Sequence, residues 1–238
     1  MMRTRMKLGG FLKVWCAKHG MVLQKYGEGP FADSNKYTPG DRKARLQRVA
    51  QLRAQGQLGQ NPAEGCQLIS ALRATTDVDG DIAEVGTARG GSARLIAEYS
   101  NGKTIHAFDT FEGDPEIGVD DSWSWKGRYA CSLEEVREYL KGLPVELHKG
   151  LFPDSAASFK ACRFSFVHLD VDLYKSTLDC LRFFYPRLNP GGILIVHGYL
   201  IASGVNRALS EFFSDKPETP IELIGYQVMV VKLSQPSE

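Results

Sequence analysis

From residue 81 onward short apolar runs alternate with helix-like stretches, and this alternation leaves few folds open to the chain. Residues 82–86, 104–109, 145–149, 164–170 and 193–197 read as strands. Between and after them, residues 90–99, 133–140, 174–187 and 205–213 carry apolar side chains at helical spacing. Such alternation predicts a parallel sheet covered by helices on both faces. The unbroken run Ile193, Leu194, Ile195, Val196 agrees, because a strand buried on both sides needs no polar alternation. Residues 221–233 read as two strands meeting around Gly225-Tyr226, an antiparallel pair at one edge. The expected fold is α/β: a Rossmann-like, doubly wound, mostly parallel seven-stranded sheet with an antiparallel C-terminal hairpin. Residues 1–79 differ. Polar punctuation such as Gly27-Glu28-Gly29-Pro30 separates helical stretches there, and Asn61 before Pro62 reads as a helix N-cap with proline at the first turn. The chain therefore divides into a helical N-terminal extension, 1–79, and a sheet domain, 80–238.

Charge and cysteine usage exclude several classes of partner. Lys plus Arg is 29 and Asp plus Glu is 28, so bulk electrostatics offers nothing to a nucleic acid. No apolar run reaches the length of a membrane span. The five cysteines are scattered without a CxxC pair, which suits a reduced, cytoplasmic protein better than a zinc site or a disulfide scaffold. The N-terminus is basic, and the stretch from Gly9 to Cys16 leads to no signal cleavage site. Phe11, Leu12, Val14 and Trp15 there suit either an interfacial helix or a terminal helix that is mobile or packed on a partner.

The first strand runs into Glu84-Val85-Gly86-Thr87-Ala88-Arg89-Gly90-Gly91-Ser92. A glycine-rich turn between strand and helix is where doubly wound folds bind nucleotides. A phosphate-cradling P-loop requires lysine where Ser92 stands. The dinucleotide fingerprint requires glycine where Glu84 stands, and a carboxylate there would repel a pyrophosphate. S-adenosylmethionine carries an ammonium and a sulfonium but no phosphate, so the spacing ExGxxxGG favours it over NAD or ATP. The alternative is a tight turn with a satisfied carboxylate. Asp109 follows Gly86 by 23 positions, close to the offset at which an acid accepts ribose hydroxyls. The candidate cofactor residues are Glu84, Gly86, Thr87, Ala88, Gly90, Ser92, Asp109, Thr110, Phe111, Phe152 and Asp170. Leu151 and Phe152, after the third strand, are candidate adenine contacts or core. His106, His148 and His168 lie inside strand patterns and read as structural.

Gly80 to Gly86, Arg89 to Ser92, and Phe108-Asp109-Thr110-Phe111-Glu112-Gly113 resemble the macrocin O-methyltransferase (TylF/MycF-like) family. So do Val167-His168-Leu169-Asp170-Val171-Asp172-Leu173-Tyr174 and the run from Tyr185 to Gly192. The resemblance spans about residues 80–233 and implies a class I S-adenosylmethionine-dependent O-methyltransferase acting on sugar hydroxyls of natural products, usually with Mg²⁺. It also implies that the N-terminal region forms a lid and contacts within a homo-oligomer. By the same resemblance Asp170 is the first metal carboxylate, and strand five should end in an aspartate before Tyr199.

This chain departs from that pattern, because it has Gly198 before Tyr199, and glycine offers no side-chain oxygen. Three readings follow. His197 acts as general base without a tightly held metal; or Asp170 and Asp172 hold a weak Mg²⁺ with waters; or the protein binds S-adenosylmethionine without turning it over. Asp172 reads equally as metal ligand or as N-cap of the helix beginning near Tyr174. A nicotinamide-dependent dehydrogenase is the remaining class, disfavoured by Glu84. The long acidic and aromatic stretch from Gly113 to Tyr129 reads as an acceptor-binding lid or as a loop whose tryptophans pack inward.

Overall fold

The computed structural model describes residues 42–234. The N-terminal stretch around Phe11 and Trp15 lies outside the described residues. The described residues from Gln47 onward form one compact unit. Six α-helices are described: α1 (Arg42–Ala54), α2 (Pro62–Ala74), α3 (Gly91–Tyr99), α4 (Leu133–Tyr139), α5 (Tyr174–Phe184) and α6 (Ser203–Phe213). The strands are β1 (Asp81–Val85), β2 (Ile105–Asp109), β3 (Val145–Lys149), β4 (Phe164–Leu169), β5 (Leu188–His197), β6 (Ile221–Glu222) and β7 (Gln227–Val231).

They form one seven-stranded sheet in the order β3-β2-β1-β4-β5-β7-β6. The five strands β1 to β5 pair in parallel, and β7 runs antiparallel to both β5 and β6, as the alternation predicts. The order reverses between β1 and β4, and in sheets of this kind ligands bind in the crevice beyond the strand ends at that reversal. Two helical layers cover the sheet. On one face Leu52, Leu68, Leu72 and Ile96 pack on Ile82, Phe166 and Ile195. On the other, Leu181, Phe184, Val205 and Leu209 pack on Val167, Leu169 and Val196.

Phe184 is fully buried, and its ring meets those of Phe152, Phe164, Phe108 and Phe183 at 5.1–6.5 Å. Phe184→Ala removes the hub of this cluster. It should cost about 3–5 kcal/mol in a urea titration, since Phe→Ala in a tight core loses both transfer energy and cavity contacts.

Local chemistry sets the helix ends. Asn61 Oδ1 accepts from the amides of Ala63 and Glu64, and Glu64 Oε2 accepts the Asn61 amide at 2.7 Å, a reciprocal cap on α2. The start of α5 is capped from a distance. Both carboxylate oxygens of the buried Asp121 accept the Tyr174 amide, at 3.0 and 3.1 Å. Asp172 makes no such bond, so the capping reading of Asp172 does not hold. Among the described residues, no helix is long and apolar enough to cross a membrane.

Candidate active site

A cleft of about 460 Å³ opens beyond the C-terminal ends of the parallel strands. Its floor is the turn after β1. Gly86 takes φ +90, a backbone conformation that strongly favours glycine, and a Cβ there would lie 2.0 Å from the Asp170 carbonyl oxygen. The Asp170 amide donates to Val85 O at 2.9 Å, so the ends of β1 and β4 are fastened together at the sheet reversal. Of the expected cofactor residues, Gly86, Thr87, Ala88, Ser92, Asp109, Thr110, Phe152 and Asp170 line this cleft. Leu151 lines it as well, half exposed.

Three expected cofactor contacts fall elsewhere. Glu84 is completely buried inside β1, and its Oε1 pairs with His168 Nδ1 at 3.0 Å. The two residues are register partners across β1 and β4, so the carboxylate is directed along the sheet rather than into the cleft. Gly90 serves as the N-cap of α3 at φ +83. Phe111 is buried against Ala93, Val136 and Leu140.

Asp109 ends β2 with both oxygens engaged. Oδ2 accepts the Ala88 amide at 2.8 Å and Oδ1 accepts the Phe111 amide at 2.7 Å. Burial raises its pKa, and these amides counter the rise. The Ala88 bond ties the glycine turn to the second strand. The Thr87 hydroxyl is buried at the cleft wall without a hydrogen-bond partner.

The polar group at the ends of β4 and β5 is more extensive than expected. His197 Nδ1 lies 3.0 Å from Asp170 Oδ1, and its Nε2 lies 3.8 Å from Glu64 Oε2. Gln60 Nε2 donates to the other Asp170 oxygen at 2.7 Å. Burial acts to lower the pKa of His197, yet Asp170 and Glu64 together push it up to about 11. The two carboxylates therefore favour the protonated imidazole, a form with no free lone pair to receive a proton. Burial likewise acts to raise Asp170, and His197 overrides it, so Asp170 stays ionised. Glu64 behaves in the same way: burial raises it, and His197 with the amides of Asn61 and Tyr226 holds it below its ordinary value.

Asp172 is the exception. The strand stops at Leu169 and Asp172 adopts φ +57, and the turn brings both Asp170 and Asp172 to the cleft. Burial, then the neighbouring Asp170 charge, push its pKa up to about 7. Gly198 sits beside it at φ +88, where a Cβ would lie 2.9 Å from Asp172 Oδ1. The glycine therefore accommodates the Asp172 turn, and an aspartate at 198 would be strained and crowded.

These groups can be weighed against a divalent cation. Asp170, Asp172 and His197 bring one potential ligand atom each within 4.8 Å of one another. His197, protonated, supplies none. Two adjacent carboxylates, one destabilised by the other's charge, do fit Mg²⁺, which binds through one or two carboxylates and fills its other positions with water and substrate.

The stretch from Gly113 to Tyr129 contributes Gly113, Asp114, Pro115 and Tyr129 to the cleft wall. Its tryptophans do not line the cleft. Trp123 and Trp125 flank the Arg128 guanidinium, at 4.5 and 5.2 Å from the ring centroids. Gln60 and Glu64 were not legible as site residues, for they lie more than a hundred positions before Asp170 and His197. The only local sign was the cap at the start of α2.

Comparison with known proteins agrees with this geometry. The solved O-methyltransferase NovP superposes with a TM-score of 0.66 at 25% identity, over 73% of this chain and 81% of that one. A calicheamicin methyltransferase shares the fold, at 19% identity and a TM-score of 0.63, over 87% of this chain and 99% of that one. In sequence, an 8-demethyl-8-(2,3-dimethoxy-alpha-L-rhamnosyl)-tetracenomycin-C 4'-O-methyltransferase of Streptomyces olivaceus is 36% identical over 142 residues, 52% of this chain and 54% of that protein. A mycinamicin III 3''-O-methyltransferase of Micromonospora griseorubida is 32% identical over 152 residues, 56% and 59% of the two. The match thus spans somewhat over half the length of these relatives. The Macrocin-O-methyltransferase (TylF) profile matches residues 41–231, the span that holds the glycine turn, Asp109 and the Asp170–His197 group, and the chain belongs to that family.

Proposed function

We propose that this chain is an S-adenosylmethionine-dependent O-methyltransferase acting on a hydroxyl of a small molecule, a sugar of a glycosylated natural product or polysaccharide. One observation carries the reading. A single cleft at the sheet reversal joins the glycine turn and Asp109 on one side to Asp170, Asp172 and His197 on the other. The relatives named above, which act on rhamnosyl and mycinamicin hydroxyls by their names, support the acceptor class.

Asp109 would hold the ribose hydroxyls, and Phe152 with Leu151 would flank the adenine. Asp170, next to the Gly86 turn, is the carboxylate available to the positively charged end of the cofactor, in place of Glu84. S-adenosylmethionine, when bound, supplies an electrophilic methyl group. The residues must then align an acceptor oxygen and relieve it of its proton, chiefly a positioning task. His197 is already protonated, so we assign it to holding Asp170. Asp172, which titrates near neutrality, is assigned as proton acceptor. Alternatively, Mg²⁺ held by Asp170 and Asp172 would supply charge that lowers the pKa of an adjacent oxygen, and Asp172 would then be a ligand rather than the proton acceptor. Asp114 and Tyr129 would meet the acceptor, and the part of the N-terminal region that does not pack into the sheet domain would supply a lid and oligomer contacts.

Calorimetry with S-adenosylhomocysteine tests the cofactor half. The wild type should bind it and not NAD, and Asp109→Asn should weaken binding roughly tenfold to a hundredfold, the worth of a charged hydrogen bond. Binding of NAD alone would overturn the proposal. Binding without turnover of any rhamnosyl or related acceptor would favour the non-catalytic reading that Gly198 raised.

A further inference from the structure

A second cluster of metal-binding side chains lies at the β3 edge of the sheet. His106 projects from β2, Glu146 and His148 from β3, and Asp81 opens β1. None of the four lines the cleft. His106 Nδ1 is 3.3 Å from His148 Nε2 and 3.3 Å from Glu146 Oε2. All three donor atoms fall within 4.8 Å of one another. Ligands around a tetrahedral ion with metal–nitrogen bonds near 2.0–2.1 Å stand about 3.3–3.4 Å apart. Both separations at His106 match that edge length.

The other nitrogen of His106 gives an independent indication. Its Nε2 lies 3.4 Å from Asp81 Oδ2. If Nε2 carries the proton and donates to Asp81, Nδ1 presents a lone pair to the other two donors. A carboxylate on the far nitrogen of a ligating histidine is the usual support of a metal-bound imidazole. The rings are held in place. Phe159 packs at 4.6 Å from the His106 ring and 4.8 Å from the His148 ring, and Phe108 stacks on His148 at 4.7 Å. The Glu146 side chain is 60% exposed, which leaves a path for an ion and a position for water.

We infer that His106, Glu146 and His148 form a binding site for a late divalent transition cation of the zinc class, with Asp81 orienting His106. Two imidazoles and a carboxylate suit zinc rather than magnesium. The ion would clasp the edge strand β3 to β2, with β1 tied in through Asp81. Its expected effect is on stability.

The test uses the full chain stripped with a chelator and dialysed. Zinc competition against a chromophoric chelator should give one equivalent bound, and Co²⁺ should give the visible absorption of a four-coordinate site. Zinc at a hundredfold over its Kd should raise Tm by about 5–10 °C. His148→Gln and Glu146→Gln should each abolish the cobalt spectrum and reduce the Tm shift. Glu146→Gln changes a half-exposed side chain and should leave the metal-free Tm unmoved. Asp172→Asn, in the cleft, should retain the spectrum. A spectrum lost in Asp172→Asn but kept in His148→Gln would place the ion in the cleft and overturn the inference. So would the absence of any zinc-dependent shift.

Discussion

Gly86→Ala is expected to abolish S-adenosylhomocysteine binding and to cost about 3–5 kcal/mol of stability, the upper range for a single substitution. Two effects add. The alanine would have to hold φ +90, and its Cβ would sit 2.0 Å from the Asp170 carbonyl oxygen and 2.7 Å from the carbonyl carbon. Neither neighbour can yield cheaply. Gly86 N donates to Phe108 O at 2.9 Å and Asp170 N donates to Val85 O at 2.9 Å, so the turn is locked to β2 and to the end of β4. Relief requires parting the sheet at its reversal, where the cleft begins. Calorimetry and urea denaturation of the variant measure the two losses separately. Binding within threefold of wild type would mean that the turn is not the cofactor's floor.

The same contact explains which parts of the site were readable in sequence. Gly86, Asp109 and Asp170 each stand at the end of a strand with a strong apolar pattern, and a parallel sheet brings consecutive strand ends to one edge. Their convergence follows from local periodicity plus topology. Glu84 shows the limit. Its position two before the glycine suggests the cleft, but its environment is set by His168, which becomes its neighbour only through the β1–β4 register. Asp172 shows a related limit: its N-cap alternative was resolved by Asp121, which lies 53 positions before Tyr174 and takes the Tyr174 amide. The raised pKa of His197 depends first on Asp170 and then on Glu64, a residue whose local pattern marks only a helix start. Long-range pairing of polar groups leaves no periodic trace, whereas burial of apolar ones does.

Asp172→Asn is expected to stabilise the fold at pH 8 by about 2–4 kcal/mol while lowering kcat by about 10²–10⁴-fold. The folded pKa of Asp172 stands near 7, above the value near 3.9 of an unfolded aspartate. The folded state therefore binds more protons between those values, and its stability falls as pH rises through that window. The penalty is absent below about pH 4 and complete above about pH 7. Asparagine carries no charge and tolerates the left-handed backbone of position 172 at φ +57, so the variant escapes the penalty without losing the turn. His197 contributes in a different window. Its pKa, raised to about 11, gives stability fully present below about pH 6.5 and lost as pH climbs toward 11. Urea midpoints of wild type and variant, taken from pH 4 to 8, should therefore diverge steadily up to about pH 7 and then run parallel. Curves that stay parallel throughout would show that Asp172 is not held near neutrality, and would remove it as the proton acceptor. Divergence with unchanged turnover would keep the electrostatics and reassign the proton step. A carboxylate kept at an energetic cost beside Asp170 marks a functional position, and the paired measurement of stability and rate tests whether its proton affinity is what is used.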